Sequence, residues 1–163
     1  MNNQQLIDIA PDLSTISGNH IAELAEKMEI LVAEMNHNMC KRSDIKSLVG
    51  NDNISMMKEN HANHLRFVHS LLEQYNKQIL VDTVAWVYRS YRSRGFQVNY
   101  WAVQINTWID LFKKHLSEDA FESIYPLYEW FRMTVPHFSQ ISDEEMNEAQ
   151  PVLCIHKIAE NND

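Results

Sequence analysis

Residues 79–95 read ILVDTVAWVYRSYRSRG, and this stretch is the most informative part of the chain for its fold. At about 100° per residue, apolar side chains cover most of the circumference of a helix. They are Leu80, Val81, Val84, Ala85, Val87, Tyr88 and Tyr91, with Trp86 at the edge of the polar strip. Gly95 follows where a left-handed C-terminal cap is expected. Because a helix that is apolar nearly all round is normally buried, the stretch predicts a central helix over residues 79–94.

Further segments with apolar residues at helical spacing flank this stretch. They begin at Asn19, Ile54, Asn99 and Ser117, and no run alternates with a period of two between hairpin turns. The chain has only 3 glycines and 4 prolines, so turns are few and helices are long. We therefore predict an all-α, single-domain bundle of about five main helices around helix 79–94. The side chains expected in its core are Val84, Val87, Tyr91, Trp108 and Phe112.

The two ends of the chain carry different signals. Residues 1–18 contain Pro11 and a Ser/Thr-rich lead to Gly18, which predicts an N-terminal arm or loop rather than a helix. Residues 19–140 are predicted to form the bundle, with Pro126 kinking its last helix and Pro136 ending it. Residues 141–163 are predicted to form a short acidic helix, since Ser142 and Glu145 match a capping box, and then a tail.

Composition narrows the classes of partner. The 163 residues carry a formal net charge of −8, which offers no broad basic surface for nucleic acid or for anionic membranes. Neither of the two cysteines belongs to a C-x-x-C pair, and the N-terminus lacks the basic start and apolar run of a signal peptide. We therefore expect a cytoplasmic protein, bacterial in style, that binds neither nucleic acid nor membrane.

A histidine pair is the strongest local signal for chemistry. His61 and His64 lie three apart, so they are adjacent on a helix, and both fall on its apolar side. Imidazoles there are candidate ligands for a divalent metal or haem, with His115 as a third ligand if two helices pack antiparallel. Alternatively the pair consists of hydrogen-bonded core histidines, the commoner arrangement when no third ligand is evident in the sequence.

A second candidate site combines arginines with aromatic side chains. Arg89 and Arg92 could hold an anionic group while Trp86, Tyr100 and Trp101 cover a flat ligand. The alternative is that the arginines compensate the helix dipole and form surface ion pairs with the abundant acids. The sequence contains no glycine-rich phosphate loop, no G-x-S-x-G and no catalytic Cys/His/Asp arrangement, so catalysis is the less favoured function.

The segment from Trp86 to Phe96, with Tyr100, Trp101 and Trp108, resembles a group of small bacterial all-helical proteins without an assigned activity. Residues 55–138 are also distantly similar to the helical module that accompanies cobalamin-binding domains and their haem-sensing relatives. The α/β half that ligates cobalamin has no counterpart here, so no ligand residues carry over. The resemblance implies a flat tetrapyrrole or a partner domain as ligand.

Two functions follow from the sequence. The first is a non-catalytic sensory or accessory domain that binds a small ligand, including a tetrapyrrole, or a protein partner. The second is a metal- or haem-binding protein that uses His61 and His64.

Overall fold

The computed structural model describes the backbone of residues 1–159 and the side chains of residues 1–148. Within that part the chain forms seven α-helices and no strand, which confirms the all-α prediction. The helices are α1 (Asn3–Asp8), α2 (Gly18–Cys40), α3 (Ile45–Val49), α4 (Ile54–Glu73), α5 (Lys77–Arg92), α6 (Val98–His115) and α7 (Glu118–Ala159). None of the described helices combines the length and apolarity needed to cross a membrane.

Helix α6 occupies the middle of the bundle, where it packs against α2, α7 and the short α3. The prediction that residues 79–94 form the buried central helix is wrong. Helix α5 packs against α7 and α1, and it buries the single stripe Leu80, Val81, Val84 and Tyr88. Ile79 and Trp86 are 53% and 57% exposed. Apolar composition alone overstated the burial of α5, because only one of its faces meets neighbouring helices.

The predicted core residues are buried to different degrees. Trp108 and Phe112 are buried in α6, and Val84 is buried in α5, as the spacing predicts. Val87 and Tyr91 are only partly buried and pack at the edge of the core. This difference follows from the peripheral position of α5.

The turn after α5 has the predicted glycine cap. Gly95 adopts a φ of 106°, while its N–H donates to the Arg92 carbonyl at 3.1 Å and the Phe96 N–H donates to the Tyr91 carbonyl at 3.2 Å. These two bonds are those of a Schellman motif, which ends a helix at a residue in the left-handed region. The Gln97 N–H then donates to the Leu48 carbonyl at 2.8 Å, so the end of α3 fixes the start of α6.

The N-terminal prediction of an arm or loop is wrong for residues 3–8. Helix α1 begins with a capping box, in which Asn2 and Gln5 bond each other's backbone N–H groups. Leu6 is fully buried, and its carbonyl accepts a hydrogen bond from Trp130 Nε1 at 3.3 Å. The cap and the buried Leu6 therefore hold this short segment against the body.

The predicted end of the last main helix at Pro136 is also wrong, since α7 runs through Pro126 and Pro136 to Ala159. Proline in a helix interior costs about 3 kcal/mol, mostly through the lost hydrogen bond and a steric clash. Buried side chains on both sides of the two prolines offset that cost: Ile124, Leu127, Tyr128, Trp130, Phe131, Val135 and Phe138. The separate acidic helix predicted after residue 141 is therefore part of α7.

Candidate ligand cavity

A cavity of about 300 Å³ separates α4 from α5 and is closed by α6 and α7. Most of its wall is apolar or aromatic, with Phe67 from α4, Val84 and Val87 from α5, Ile105 from α6 and Phe131 from α7. This combination of size and lining is found in small-molecule sites, which are concave, mainly apolar and carry a few placed polar groups.

Two buried amides form the polar part of the wall. Gln104 Nε2 donates to Asn60 Oδ1 at 2.7 Å, and the hydroxyl of Tyr100 donates to the same oxygen at 3.0 Å. Asn60 and Gln104 both line the cavity although they are only 5% and 2% exposed. No described residue bonds Asn60 Nδ2 or Gln104 Oε1, so the pair leaves one donor and one acceptor without a protein partner.

His61 lies behind this amide pair and is completely buried. Its Nδ1 is 2.6 Å from Asn36 Oδ1, and its Nε2 is 3.2 Å from the Tyr100 hydroxyl. Burial lowers the pKa of His61 to about 3, with a further contribution from the charge of protonated His64. The imidazole is therefore neutral, and with Asn36 Oδ1 as the acceptor its proton is on Nδ1, which leaves Nε2 as an acceptor for the Tyr100 hydroxyl.

His64 stands at the cavity wall among aromatic rings. Its Nε2 is 2.7 Å from the Tyr128 hydroxyl, and its ring stacks on Trp108 at a centroid distance of 5.5 Å. Burial lowers the pKa of His64 to about 4 and raises the pKa of Tyr128 well above its ordinary value. At neutral pH both groups are uncharged. The hydrogen bond between the Tyr128 hydroxyl and His64 Nε2 is therefore a neutral one in apolar surroundings.

The three predicted metal ligands do not converge. His61 and His64 are adjacent, as predicted, but both nitrogens of His61 have polar partners. His115 Nε2 instead lies 3.0 Å from Glu34 Oε2, on the side of α6 that faces α2. Among the described residues no group of three or more His, Cys, Asp or Glu side chains is placed to hold a metal ion. The geometry supports the hydrogen-bonded interpretation of the pair.

Of the predicted ligand residues, the three aromatic ones lie at or next to the cavity, whereas the two arginines do not. Trp86 and Trp101 line the cavity, and the largely exposed Trp86 lies at its rim. Tyr100 is one layer behind the wall, where it holds Asn60. The indole Nε1 of Trp101 is buried without a described partner, and its ring stacks on Tyr88 at 4.5 Å.

The two arginines do not reach the cavity. Arg89 Nη1 pairs with Glu145 at 3.2 Å, and Arg92 Nη1 donates to the Ser139 carbonyl and Ser142 hydroxyl at 2.9 and 2.8 Å. Arg92 also pairs with Asp143. These contacts join α5 to α7, as the ion-pair alternative predicts.

The sequence analysis missed the amide pair. Gln104 lies three residues after Trp101 and four before Trp108, so it falls within the apolar stripe of α6. Asn60 likewise precedes His61 on the inner side of α4, three residues after the buried Met57. A polar side chain inside an apolar stripe was the available signal, because such a group needs a partner once it is buried.

Comparison with known proteins gives no relative for this chain, since no protein-family model, no curated protein and no solved structure matches it.

Proposed function

We propose that this protein is a non-catalytic binding domain that holds a small, mainly apolar ligand in the cavity between α4 and α5. The observation that carries the proposal is the cavity itself, about 300 Å³ with an aromatic and aliphatic wall and a buried amide pair. A sensory or accessory role fits a domain that binds a molecule without transforming it. An acidic chain with only two cysteines, far apart in the sequence, offers no disulfide framework, which supports a cytoplasmic location.

An unfilled space of this size is unusual in a protein core. Native interiors are close-packed, and the few voids they contain are rarely much larger than a water molecule. This space is partly open to solvent beside Trp86, which is 57% exposed, so a small molecule can enter it. A ligand that enters past Trp86 and occupies the cavity would explain why the protein keeps this space unfilled by its own side chains.

The cavity lining favours binding over catalysis. No carboxylate, thiol, amine or guanidinium of a described residue lines the space. The histidine at its wall, His64, is neutral and hydrogen-bonded to Tyr128. Because burial lowers its pKa to about 4, His64 is not a general base matched to neutral pH. We therefore assign no reaction to the site.

The same lining favours a ligand smaller than a tetrapyrrole. A volume near 300 Å³ is at the lower end for ligand pockets, which span roughly 300–1,000 Å³. A haem would also require an axial ligand and partners for its carboxylates, whereas His64 Nε2 is bonded to Tyr128 and both nearby arginines are paired. The metal- or haem-binding alternative therefore has weaker support than a compact aromatic ligand.

Titration with N-phenyl-1-naphthylamine, an uncharged dye that fluoresces in apolar surroundings, tests the proposal. Val87→Trp fills the cavity from α5, where Val87 is only partly buried, so the substitution leaves the deep core intact. Ile79→Trp is the matched control, because Ile79 belongs to the same helix, is exposed and does not line the cavity.

We expect the parent and Ile79→Trp to bind the dye equally and Val87→Trp to bind at least about tenfold more weakly, a change of about 1.4 kcal/mol. A parent protein that fails to bind the dye, or a dye that binds all three proteins alike, would contradict the proposal.

A further inference from the structure

We infer that the ligand is uncharged and carries an amide-like edge, one N–H donor beside one carbonyl acceptor, which Asn60 and Gln104 recognise. This inference rests on the proposed ligand function of the cavity and specifies the chemical class of its ligand.

The absence of charge follows from the lining. None of the described side chains at the cavity wall is charged at neutral pH, and His64 is held neutral by burial. Arg89 and Arg92, on the helix that forms one wall, are paired with Glu145 and Asp143. An ionised ligand would lose its hydration without gaining a counter-charge, which is strongly unfavourable.

The hydrogen-bonding edge follows from the amide pair. Asn60 Oδ1 already accepts two hydrogen bonds, whereas Asn60 Nδ2 and Gln104 Oε1 have no partner among the described residues. Both side chains are otherwise buried, so the cavity is the space that these two groups can reach. Neither atom is fully enclosed by protein, so both are open to the cavity, where its occupant can supply the missing donor and acceptor.

The arrangement does not depend on which way the two amides are turned. If both amides are rotated by 180°, the bond between them is kept and the free groups become Asn60 Oδ1 and Gln104 Nε2. One donor and one acceptor then still face the cavity.

The amide pair is held in place before any ligand arrives. Asn36, His61 and Tyr100 lie behind Asn60 with polar-atom distances of 2.6, 3.2 and 3.0 Å, and the single Tyr100 hydroxyl hydrogen serves either Asn60 Oδ1 or His61 Nε2. A group fixed in this way loses little conformational freedom on binding, which favours recognition.

A lactam fused to an aromatic ring fits both parts of the cavity. Its cis C(=O)–N–H edge donates to Gln104 Oε1 and accepts from Asn60 Nδ2, while its ring lies against the aromatic wall. A primary or secondary amide in an open chain presents the same groups with less rigidity, so the planar lactam is the better match.

Three related compounds test the inference through displacement of N-phenyl-1-naphthylamine from the parent protein. They are 2-quinolone, which has the lactam edge; 1-methyl-2-quinolone, which lacks the N–H donor; and quinoline-2-carboxylate, which is an anion of similar size. We expect 2-quinolone to bind at least about tenfold more tightly than its N-methyl derivative, and the carboxylate to displace no dye.

Gln104→Leu removes one member of the pair at nearly constant shape, and Thr83→Val is the control for a polar wall residue outside it. The preference for 2-quinolone over its N-methyl derivative should fall to about one in Gln104→Leu and persist in Thr83→Val. Because the compound series is measured on the parent as well, the test holds even if Gln104→Leu does not fold.

Different results separate this inference from the proposed function. If the parent binds the dye but binds the two quinolones equally, the ligand does not need an amide-like edge. Bound water then supplies the partners of Asn60 and Gln104, and the proposed ligand function still holds. Displacement by the carboxylate as strong as that by 2-quinolone would overturn the requirement for an uncharged ligand. Failure of the dye itself to bind contradicts the proposed function.

Discussion

Acidification should destabilise this protein between pH 6.5 and pH 4 because His61, which is buried, and His64, which is partly buried, are neutral in the folded state. Burial lowers the pKa of His61 to about 3 and that of His64 to about 4, from 6.5 in an unfolded chain. Below pH 6.5 the unfolded state therefore binds more protons than the folded state, so the free energy of unfolding falls as the pH falls. This loss continues until the pH reaches the folded-state pKa values.

The size of the effect at pH 5 depends mainly on the unfolded state. A histidine that stays neutral when folded and has a pKa of 6.5 when unfolded loses about 2 kcal/mol of stabilisation between about pH 7.5 and about pH 5. The two histidines together should lower the free energy of unfolding by about 4 kcal/mol, a large share of the roughly 5–15 kcal/mol that stabilises a domain. Tyr100 and Tyr128, which face the pair, stay uncharged because burial raises their pKa values.

Urea denaturation at the two pH values measures this difference. His61→Asn and His64→Phe should each remove about half of the pH dependence, whatever they do to the stability at pH 7.5. His37→Asn, at an exposed position, is the control and should retain all of it. A parent protein equally stable at both pH values, or a pH dependence unchanged in both variants, would refute the neutral state of the two histidines in the folded protein.

Two further predictions concern the fold. Trp108→Ala should lower the free energy of unfolding by about 3–5 kcal/mol, because Trp108 is fully buried and stacks with Phe112 and His64; an unchanged denaturation midpoint would contradict its place in the core. Gly95→Ala should cost roughly 1–3 kcal/mol, since a side chain at a φ of 106° is strained; the same substitution at Gly18, where an added Cβ meets no atom within 4 Å, is the thermal-melting control. Equal melting temperatures for the two alanine variants would exclude the Schellman turn.

Features that depend on neighbouring residues in the chain could be predicted from the sequence. The helical stripes gave the all-α class, and Gly95 after an amphipathic helix gave the cap, because both signals lie within a few residues of the structure they determine. The pairing of His61 with His64 on one inner face was predictable for the same reason.

Features that depend on which helices meet could not be predicted in this way. Both α5 and α6 carry enough apolar residues for a position at the centre of the bundle or at its edge. Which of them is central is decided by the helices that surround them. The passage of α7 through Pro136 depends on buried contacts with other helices, which a local rule for proline does not include. The cavity is a gap between four helices, so the sequence of any one helix does not predict it. The only local indication of a polar site was the position of Asn60 and Gln104 on the inner faces of their helices.

A crystal structure of the protein with N-phenyl-1-naphthylamine bound tests the central claim most directly. We predict electron density for the dye between α4 and α5, in contact with Val87 and Ile105 and within reach of the amides of Asn60 and Gln104. Density for the dye elsewhere on the molecule, with the cavity closed by side chains or filled with water alone, would contradict the claim.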